Sequence, residues 1–229
     1  MTNTPAIVPI PVGLDDGYAF TKLALPDGRL IVIPSRARVG RSDMTWIHGA
    51  EQRVFEYETE GCVYCVGAID GAPTHFDGYS WSGLNRAVVQ HALQKAGFAG
   101  RTMHAVSGMP VSSFYRNDGE QRHDAINRKR DSLKTAVQPL PDGLPVGIAF
   151  HGVIPEALAA WYDFVIQEQN DVVTLDNDRV SEPVAIIDIG GRTTDYVVVK
   201  EQAILHASSG SLQCGMLNVK QRLADGIQA

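Results

Sequence analysis

Two stretches of the sequence repeat one pattern, and that repeat restricts the folds open to the chain more than any other feature. The first is Leu14-Asp15-Asp16-Gly17, a short turn, then Thr21-Lys22-Leu23-Ala24-Leu25. The second is Ile187-Asp188-Ile189-Gly190-Gly191, then Thr193-Thr194-Asp195, then Tyr196-Val197-Val198-Val199. Each is an apolar strand ending in Asp-x-Gly, a short polar turn and a returning strand, with a third strand after it. A plain hairpin needs only one Asp-Gly, which supplies φ > 0 at little cost. It needs neither a second acid nor Lys22. Two copies this far apart mean two similar halves, because a solenoid would repeat every 20 to 50 residues or so, roughly. A glycine-tipped hairpin offers backbone N–H groups to an anion with no Cβ in the way. Two such tips facing each other would grip one polyphosphate from both sides. An Asp at each strand end would then put carboxylates where a hydrated Mg²⁺ bridges them to the phosphates. Lys22 adds a compact positive charge near those phosphates. The G-x-x-x-x-G-K-[ST] pattern of a P-loop does not occur.

Composition narrows the function classes. The 229 residues allow one large domain or two modest ones, and 44% hydrophobic content is ordinary for a globular chain. A formal charge of −6 argues against a general nucleic-acid binder, whose binding face is basic. No apolar run approaches the roughly 20 residues of a membrane span. The opening "MTNTPAIVPIPVG" lacks the basic segment and apolar core of a secretory signal. Three cysteines, an odd number, fit reduced thiols in a cytosol. Cys62 and Cys65 form a C-x-x-C, but "GCVYCVG" reads as a strand, where residues three apart face opposite sides. No second Cys or His pair accompanies them, so the pair does not read as a metal or redox site.

Along the chain, residues 10–34 read as three short strands joined by "DDGY" and "LPDGR". Residues 35–80 read as an inserted subdomain with a strand at Val63–Val66. "WSGLNRAVVQHALQKAGF" reads as a helix capped by Ser82 and ended by Gly97, with Leu84, Val88 and Ala92 as its stripe. "RTMHAVSGMPVSSFY" is a buried strand ending in a loop at Ser107-Gly108-Met109-Pro110. Residues 116–134 hold six Lys/Arg and four Asp/Glu on a helical pattern, read as a solvated helix face. "VQPLPDGLPVGIAFHGVIPEALAAWYDFVIQE" is a hairpin or pair of strands leading into a helix. In that helix Pro155 takes the first position, Glu156 lies in the first turn, and Ala157, Leu158, Trp161, Phe164 and Val165 have helical spacing. "NDVVTLDNDRVSEP" is a polar, turn-rich boundary, and three strands and a short helical pattern follow it.

With these motifs in order, the chain resembles the actin, sugar-kinase and heat-shock-chaperone superfamily, and within it the plasmid-segregation actins of the ParM/StbA family. "LDDGYAFTKLAL", "SGMPVSSFYR", "INRKRDSLK", "GVIPEALAAWYD" and "IDIGGRTTDYVVV" carry the resemblance, from about residue 10 to the end. It implies an α/β, actin-like ATPase fold of the ribonuclease H-like kind, with a mixed five-stranded sheet in the first lobe. That lobe spans residues 8–180, and residues 181–229 open a second. It further implies Mg²⁺ and ATP or GTP as cofactors, with Asp15, Asp16 and Asp188 serving the metal largely through waters. The β- and γ-phosphates would meet Asp16, Gly17, the amides of Tyr18, Ala19 and Phe20, and Lys22. Gly190, Gly191, Arg192 and Thr193 match the second phosphate loop, where Arg192 either adds charge or points to solvent. Tyr18 stands where the family often has a hydroxyl residue, so contacts there fall to the backbone. Glu156 matches the glutamate that positions the attacking water, a role hydrolysis requires. As a plain helix-start residue it would only favour the helix dipole. Self-association into filaments, a DNA-bound adaptor and a bacterial cytoplasmic location follow from the same likeness, with no direct nucleic-acid or membrane contact.

The resemblance also implies roughly a further hundred residues beyond the second hairpin, carrying the adenine and ribose contacts. A glycine-rich adenosine motif is absent from this sequence, so the second lobe reads as three strands and a short helix. Two functions remain: an ATPase that forms filaments to move plasmids, or a non-catalytic remnant that binds nucleotide weakly and acts through protein contacts. A sugar or acetate kinase on the same fold would show phosphorylation of a small acceptor. The 229-residue chain is expected to bind Mg-nucleotide far more weakly than a full-length relative. Calorimetry giving low-micromolar ATP affinity would contradict that expectation.

Overall fold

The computed structural model describes residues 8–228 except 45, 46, 48–50, 52, 73, 75 and 171. The start of the chain, on which the absence of a secretory signal was judged, and parts of the expected insertion lie outside the described residues. The three opening strands form as the sequence suggests: β1 (Ile10–Asp16), β2 (Phe20–Ala24) and β3 (Leu30–Pro34), antiparallel neighbours throughout. Next come β4 (Ala37–Val39), β5 (Val54–Thr59) and β6 (Cys62–Gly67). Helix α1 (Gly83–Lys95) starts at Ser82, whose hydroxyl accepts from the Asn85 N–H, and Gly97 follows it at φ 87°. Strand β7 (Thr102–Met109) runs through the expected Ser107-Gly108-Met109 loop before a single turn, α2 (Val111–Phe114). The basic segment forms α3 (His123–Lys134).

Strands β8 (Gln138–Leu140) and β9 (Gly147–Pro155) are not a hairpin with each other. Strand β8 pairs antiparallel with β5 and completes a four-stranded sheet in the order β4-β6-β5-β8, so the inserted subdomain borrows a strand from beyond residue 80. Strand β9 joins the five-stranded sheet β3-β2-β1-β7-β9, in which β1 and β7 are parallel. Helix α4 (Glu156–Val165) begins one residue later than expected, with Pro155 as its extended N-cap at φ −63°, ψ 133°. The segment read as a polar boundary is ordered: β10 (Ile166–Gln169) and β11 (Val172–Leu175) form a hairpin, and Asp176 caps α5 (Asn177–Ser181). Then come β12 (Val184–Ile189), β13 (Thr194–Lys200), β14 (Ala203–Ile204), β15 (Gly210–Leu212) and α6 (Met216–Gln228). β14 and β15 both pair with β13, so the closing sheet has four strands rather than three.

By its internal contacts the chain divides into two compact units, Met1–Ser107 with Arg128–Gly152, and Gly108–Asn127 with Val153–Ala229. This partition differs from a single boundary at 180, because α4 shares a core with β12 and β13. Ala157, Trp161 and Val165 of α4 pack with Val197 and Val199 there, while Phe164 is exposed beneath the Arg179 guanidinium. In the first unit, α1 is buried all round rather than along one stripe. Leu84, Ala87 and Val88 enter a core with Ala37, Tyr57 and Val66 of the four-stranded sheet. Val89, Ala92 and Leu93 enter another, with Val12, Leu14 and Leu23 of the five-stranded sheet. Among the described residues no helix is long and apolar enough to cross a membrane.

Burial of α1 has a pH consequence. His91 is 5% exposed, and its Nδ1 lies 2.9 Å from the Tyr57 hydroxyl. Burial, helped by the nearby Lys95 charge, pulls its pKa from 6.5 down to about 4. The native imidazole is therefore neutral, and the unfolded one takes up a proton between those values. Its contribution is complete above pH 6.5 and is lost as pH falls toward 4, by up to about 3 kcal/mol. Urea unfolding at pH 7 and pH 4.5 should show that loss, and His91→Phe should reduce the pH dependence.

Candidate functional site

Strand alternation decides what each acid of the first hairpin does. Successive side chains of β1 face opposite sides, so Asp16 shares the buried face of Val12 and Leu14, and Asp15 takes the other. Asp15 is half-exposed and pairs at 2.7 Å with Lys22, its register partner on β2. The Asp16 side chain is 2% exposed and so is that of Lys129, whose Nζ lies 2.7 and 2.9 Å from the two carboxylate oxygens. Asn85 Nδ2 donates to the same carboxylate at 3.1 Å. The two acids, expected to act alike on a metal, therefore stand in different surroundings. Lys129, expected on a solvated face, is buried.

The tip between them is tied down through its carbonyls. The Asp16 carbonyl lies 3.5 Å from Asn85 Nδ2, the Gly17 carbonyl accepts from the Ser35 hydroxyl at 2.7 Å, and the Tyr18 carbonyl accepts from the Thr74 hydroxyl. The Ala19 carbonyl accepts from the Ser35 N–H at 3.0 Å. In a planar trans peptide the C=O of one residue and the N–H of the next point opposite ways. Four consecutive anchored carbonyls thus fix the directions of the N–H groups of Gly17, Tyr18, Ala19 and Phe20, each opposite its own anchor. A Cβ on Gly17 would stand 3.0 Å from the Phe20 carbonyl, so the turn needs glycine for closeness. The Tyr18 ring lies against Tyr79, centroids 5.3 Å apart, which leaves the backbone as its part of the tip. Behind the hairpin, His151 is 1% exposed and held below its usual pKa, chiefly by burial. Its Nδ1–H donates to the Arg130 carbonyl at 3.1 Å, so Nε2 accepts from the Ser107 hydroxyl at 2.8 Å.

The second hairpin, in the other unit, follows the same plan. Gly190 N–H closes the turn on the Thr193 carbonyl at 2.9 Å. The Gly190 and Gly191 carbonyls accept from the first N–H groups of α6, Met216 at 3.0 Å and Leu217 at 2.8 Å. Their anchoring turns the N–H groups of Gly191 and Arg192 the opposite way. Arg192 Nε donates to Gln213 at 3.3 Å, and the Thr193 side chain is buried. Asp188 is exposed and stands in register with Asp195 on β13. Asp195, on the buried face of Val197 and Val199, is 1% exposed and accepts from the Val111 N–H at 2.8 Å and from the Ser211 hydroxyl. Register partners share a sheet face, so Asp188 lies on the same face as Asp195 and is exposed near the strand end, whereas Asp15 and Asp16 face opposite sides of β1.

Glu156, half-buried at the start of α4, lies against Gly108 so closely that a Cβ on that glycine would stand 2.3 Å from Glu156 Cγ. Among the described residues no group of three or more His, Cys, Asp or Glu could hold a metal. A cation here would take one or two carboxylates and keep its waters, the manner of Mg²⁺, which the accessible carboxylates of Asp15 and Asp188 fit. A cavity of about 320 Å³ in the first unit, between α1, the end of α3 and β9, is lined by none of the expected site residues.

The family described as "Plasmid segregation protein ParM, N-terminal" matches residues 10–167. The chain belongs to that family. Comparison with curated protein sequences returns no match. Among solved structures, the archaeal actin homolog Ta0583 superposes with a TM-score of 0.68 at 21% identity, covering 95% of this chain and 66% of that one; it has also been solved in complex with ADP. Apo pSK41 ParM gives 0.67 at 14% identity over 96% of this chain and 71% of that one. An AlfA filament bound to AMPPNP gives 0.59 at 12% identity over 95% and 76%. The fold is actin-like, and the chain spans about two thirds of the length of the first of these.

Removing the inward acid of the second hairpin should cost stability. Asp195→Ala leaves the buried Val111 N–H without its acceptor, so urea unfolding should show a loss of about 1–3 kcal/mol, with a smaller loss for Asp195→Asn.

Proposed function

We propose that this protein is a nucleotide-dependent segregation actin: Mg-ATP or Mg-GTP, taken up by both hairpins, drives self-assembly into filaments that a DNA-bound adaptor links to a plasmid in the bacterial cytoplasm. The observation that supports the reading is the anchoring of carbonyls in both hairpins, which fixes the direction of the amides that would meet a phosphate chain. Two relatives add support, one solved with ADP and one as a filament with AMPPNP.

In this reading Gly17, Tyr18, Ala19 and Phe20 bind phosphate oxygens through N–H groups, and Lys22 offers charge once its exposed pair with Asp15 loosens. From the second hairpin Gly191 and Arg192 do the same, while Gly190, whose N–H closes the turn on the Thr193 carbonyl, and Thr193 shape that phosphate loop. Asp15 and Asp188 accept hydrogen bonds from the metal's waters, while Asp16 contributes through the loop it holds. A bound Mg²⁺ would supply neutralisation of phosphate charge. Glu156 accepts a proton-bearing hydrogen bond from the attacking water and orients it toward the γ-phosphorus.

In a chain whose second lobe is complete, Glu156→Ala should keep nucleotide binding and assembly while hydrolysis drops by about 10²–10⁴-fold. Asp188→Ala should instead weaken Mg-nucleotide binding. Phosphate release and nucleotide titration on both variants separate the two roles. Hydrolysis at the parental rate in Glu156→Ala would reduce Glu156 to a helix-start residue. Gly108→Ala, which pushes on Glu156 Cγ, should slow hydrolysis in the same direction with affinity retained.

A further inference from the structure

We propose that Lys129 is the positioning residue of the first hairpin, and that it separates the tasks of two adjacent aspartates: Asp16 holds the loop and Asp15 serves the metal's waters. The proposal deepens the nucleotide reading and rests on it for its consequence. The pair itself is built entirely within the first unit.

Three N–H···O contacts fill the Asp16 carboxylate, two from Lys129 Nζ at 2.7 and 2.9 Å and one from Asn85 at 3.1 Å. Both ionic side chains are 2% exposed. A carboxylate that deep depends on its partner, and without Lys129 it loses two of its three N–H···O contacts. Asp16 directly precedes Gly17, so freeing its side chain moves the first anchored peptide of the tip. The neighbouring pair behaves differently. Asp15 and Lys22 are about half exposed, and water screens such a contact enough for it to open and reform. Asp15 can therefore exchange Lys22 for a metal-bound water, whereas Asp16 is committed to Lys129.

The turn of α3 that carries Lys129 is itself braced. His151 holds the Arg130 carbonyl at 3.1 Å, and the buried Arg86 donates to the Ser132 hydroxyl at 3.0 Å. Lys129 thus stands on a fixed support rather than on a free helix face.

The test uses Lys129→Met, which strands Asp16, and the double variant Asp16→Asn/Lys129→Met, which removes both charges and guards against simple unfolding. The first measurement is amide hydrogen exchange over residues 17–20 without nucleotide, with α1 amides as the reference for global stability. The expected result is exchange at least tenfold faster at the tip with α1 unchanged, in the double variant if Lys129→Met loses α1 protection. Parental exchange at the tip in a folded variant overturns the proposal. The second measurement is ATP titration across Mg²⁺ concentrations. The double variant should lower affinity about tenfold with the Mg²⁺ midpoint unmoved, whereas Asp15→Ala should shift that midpoint. A midpoint shifted by the double variant as by Asp15→Ala places Asp16 on the metal's waters and also overturns it. If the parental protein takes up no ATP, the nucleotide reading fails, and the exchange measurement still decides whether Lys129 holds the loop.

Discussion

A charged group inside a protein must bring its counter-charge with it, and the contact of Asp16 with Lys129 meets that requirement where the first unit is most crowded. Strand β1 threads the middle of the five-stranded sheet, and the face that carries Val12, Leu14 and Asp16 is buried. An acid on that face cannot be solvated. Without a fixed cation it would be pushed outward, and the hairpin would twist with it. Asn85 from α1 and Lys129 from α3 therefore do more than satisfy one carboxylate. They tie the end of the central strand to both helices behind it.

The second unit meets the same demand with neutral groups. Asp195 also sits on the apolar side of its strand, and its partners are a backbone N–H and a serine hydroxyl rather than an ammonium. These two donors satisfy the buried carboxyl group without an ammonium among its partners. Each half has one accessible and one buried acid near its hairpin tip, but they are successive residues of one strand in the first and register partners on two strands in the second.

What could be read from the sequence was local. The opening meander, the cap at Ser82 and both glycine-tipped hairpins rest on neighbours a few residues apart, and the structure has them. The inward turn of Asp16 was also within reach, because Val12, Leu14 and Asp16 are two residues apart and a strand puts them on one face. Lys129 was not. It belongs to a run of charges that reads as a wet helix face, and its partner is 113 residues away. Distance hid the partner of β8 as well: the segment reads as a hairpin or pair of strands, and only the folded chain pairs "QPL" with β5. The β10–β11 hairpin was masked by composition, because "IQEQ" and "VVTL" lie largely exposed and do not alternate as a half-buried strand would. The tip's anchors, Ser35 and Thr74, are single hydroxyls in irregular segments, and only the folded chain brings them to the turn.

The anchoring of Gly190 and Gly191 by the first N–H groups of α6 has a consequence for how the protein is made. On the ribosome the second hairpin is synthesised before the helix that orients its peptides. At synthesis rates of about 5–20 residues per second, Leu217 follows Gly191 by roughly one to five seconds. During that interval β12 and β13 can pair, yet the loop's amides have no fixed direction. A nascent chain would therefore acquire this hairpin's shape in two stages, strands first and ligand-facing geometry afterwards.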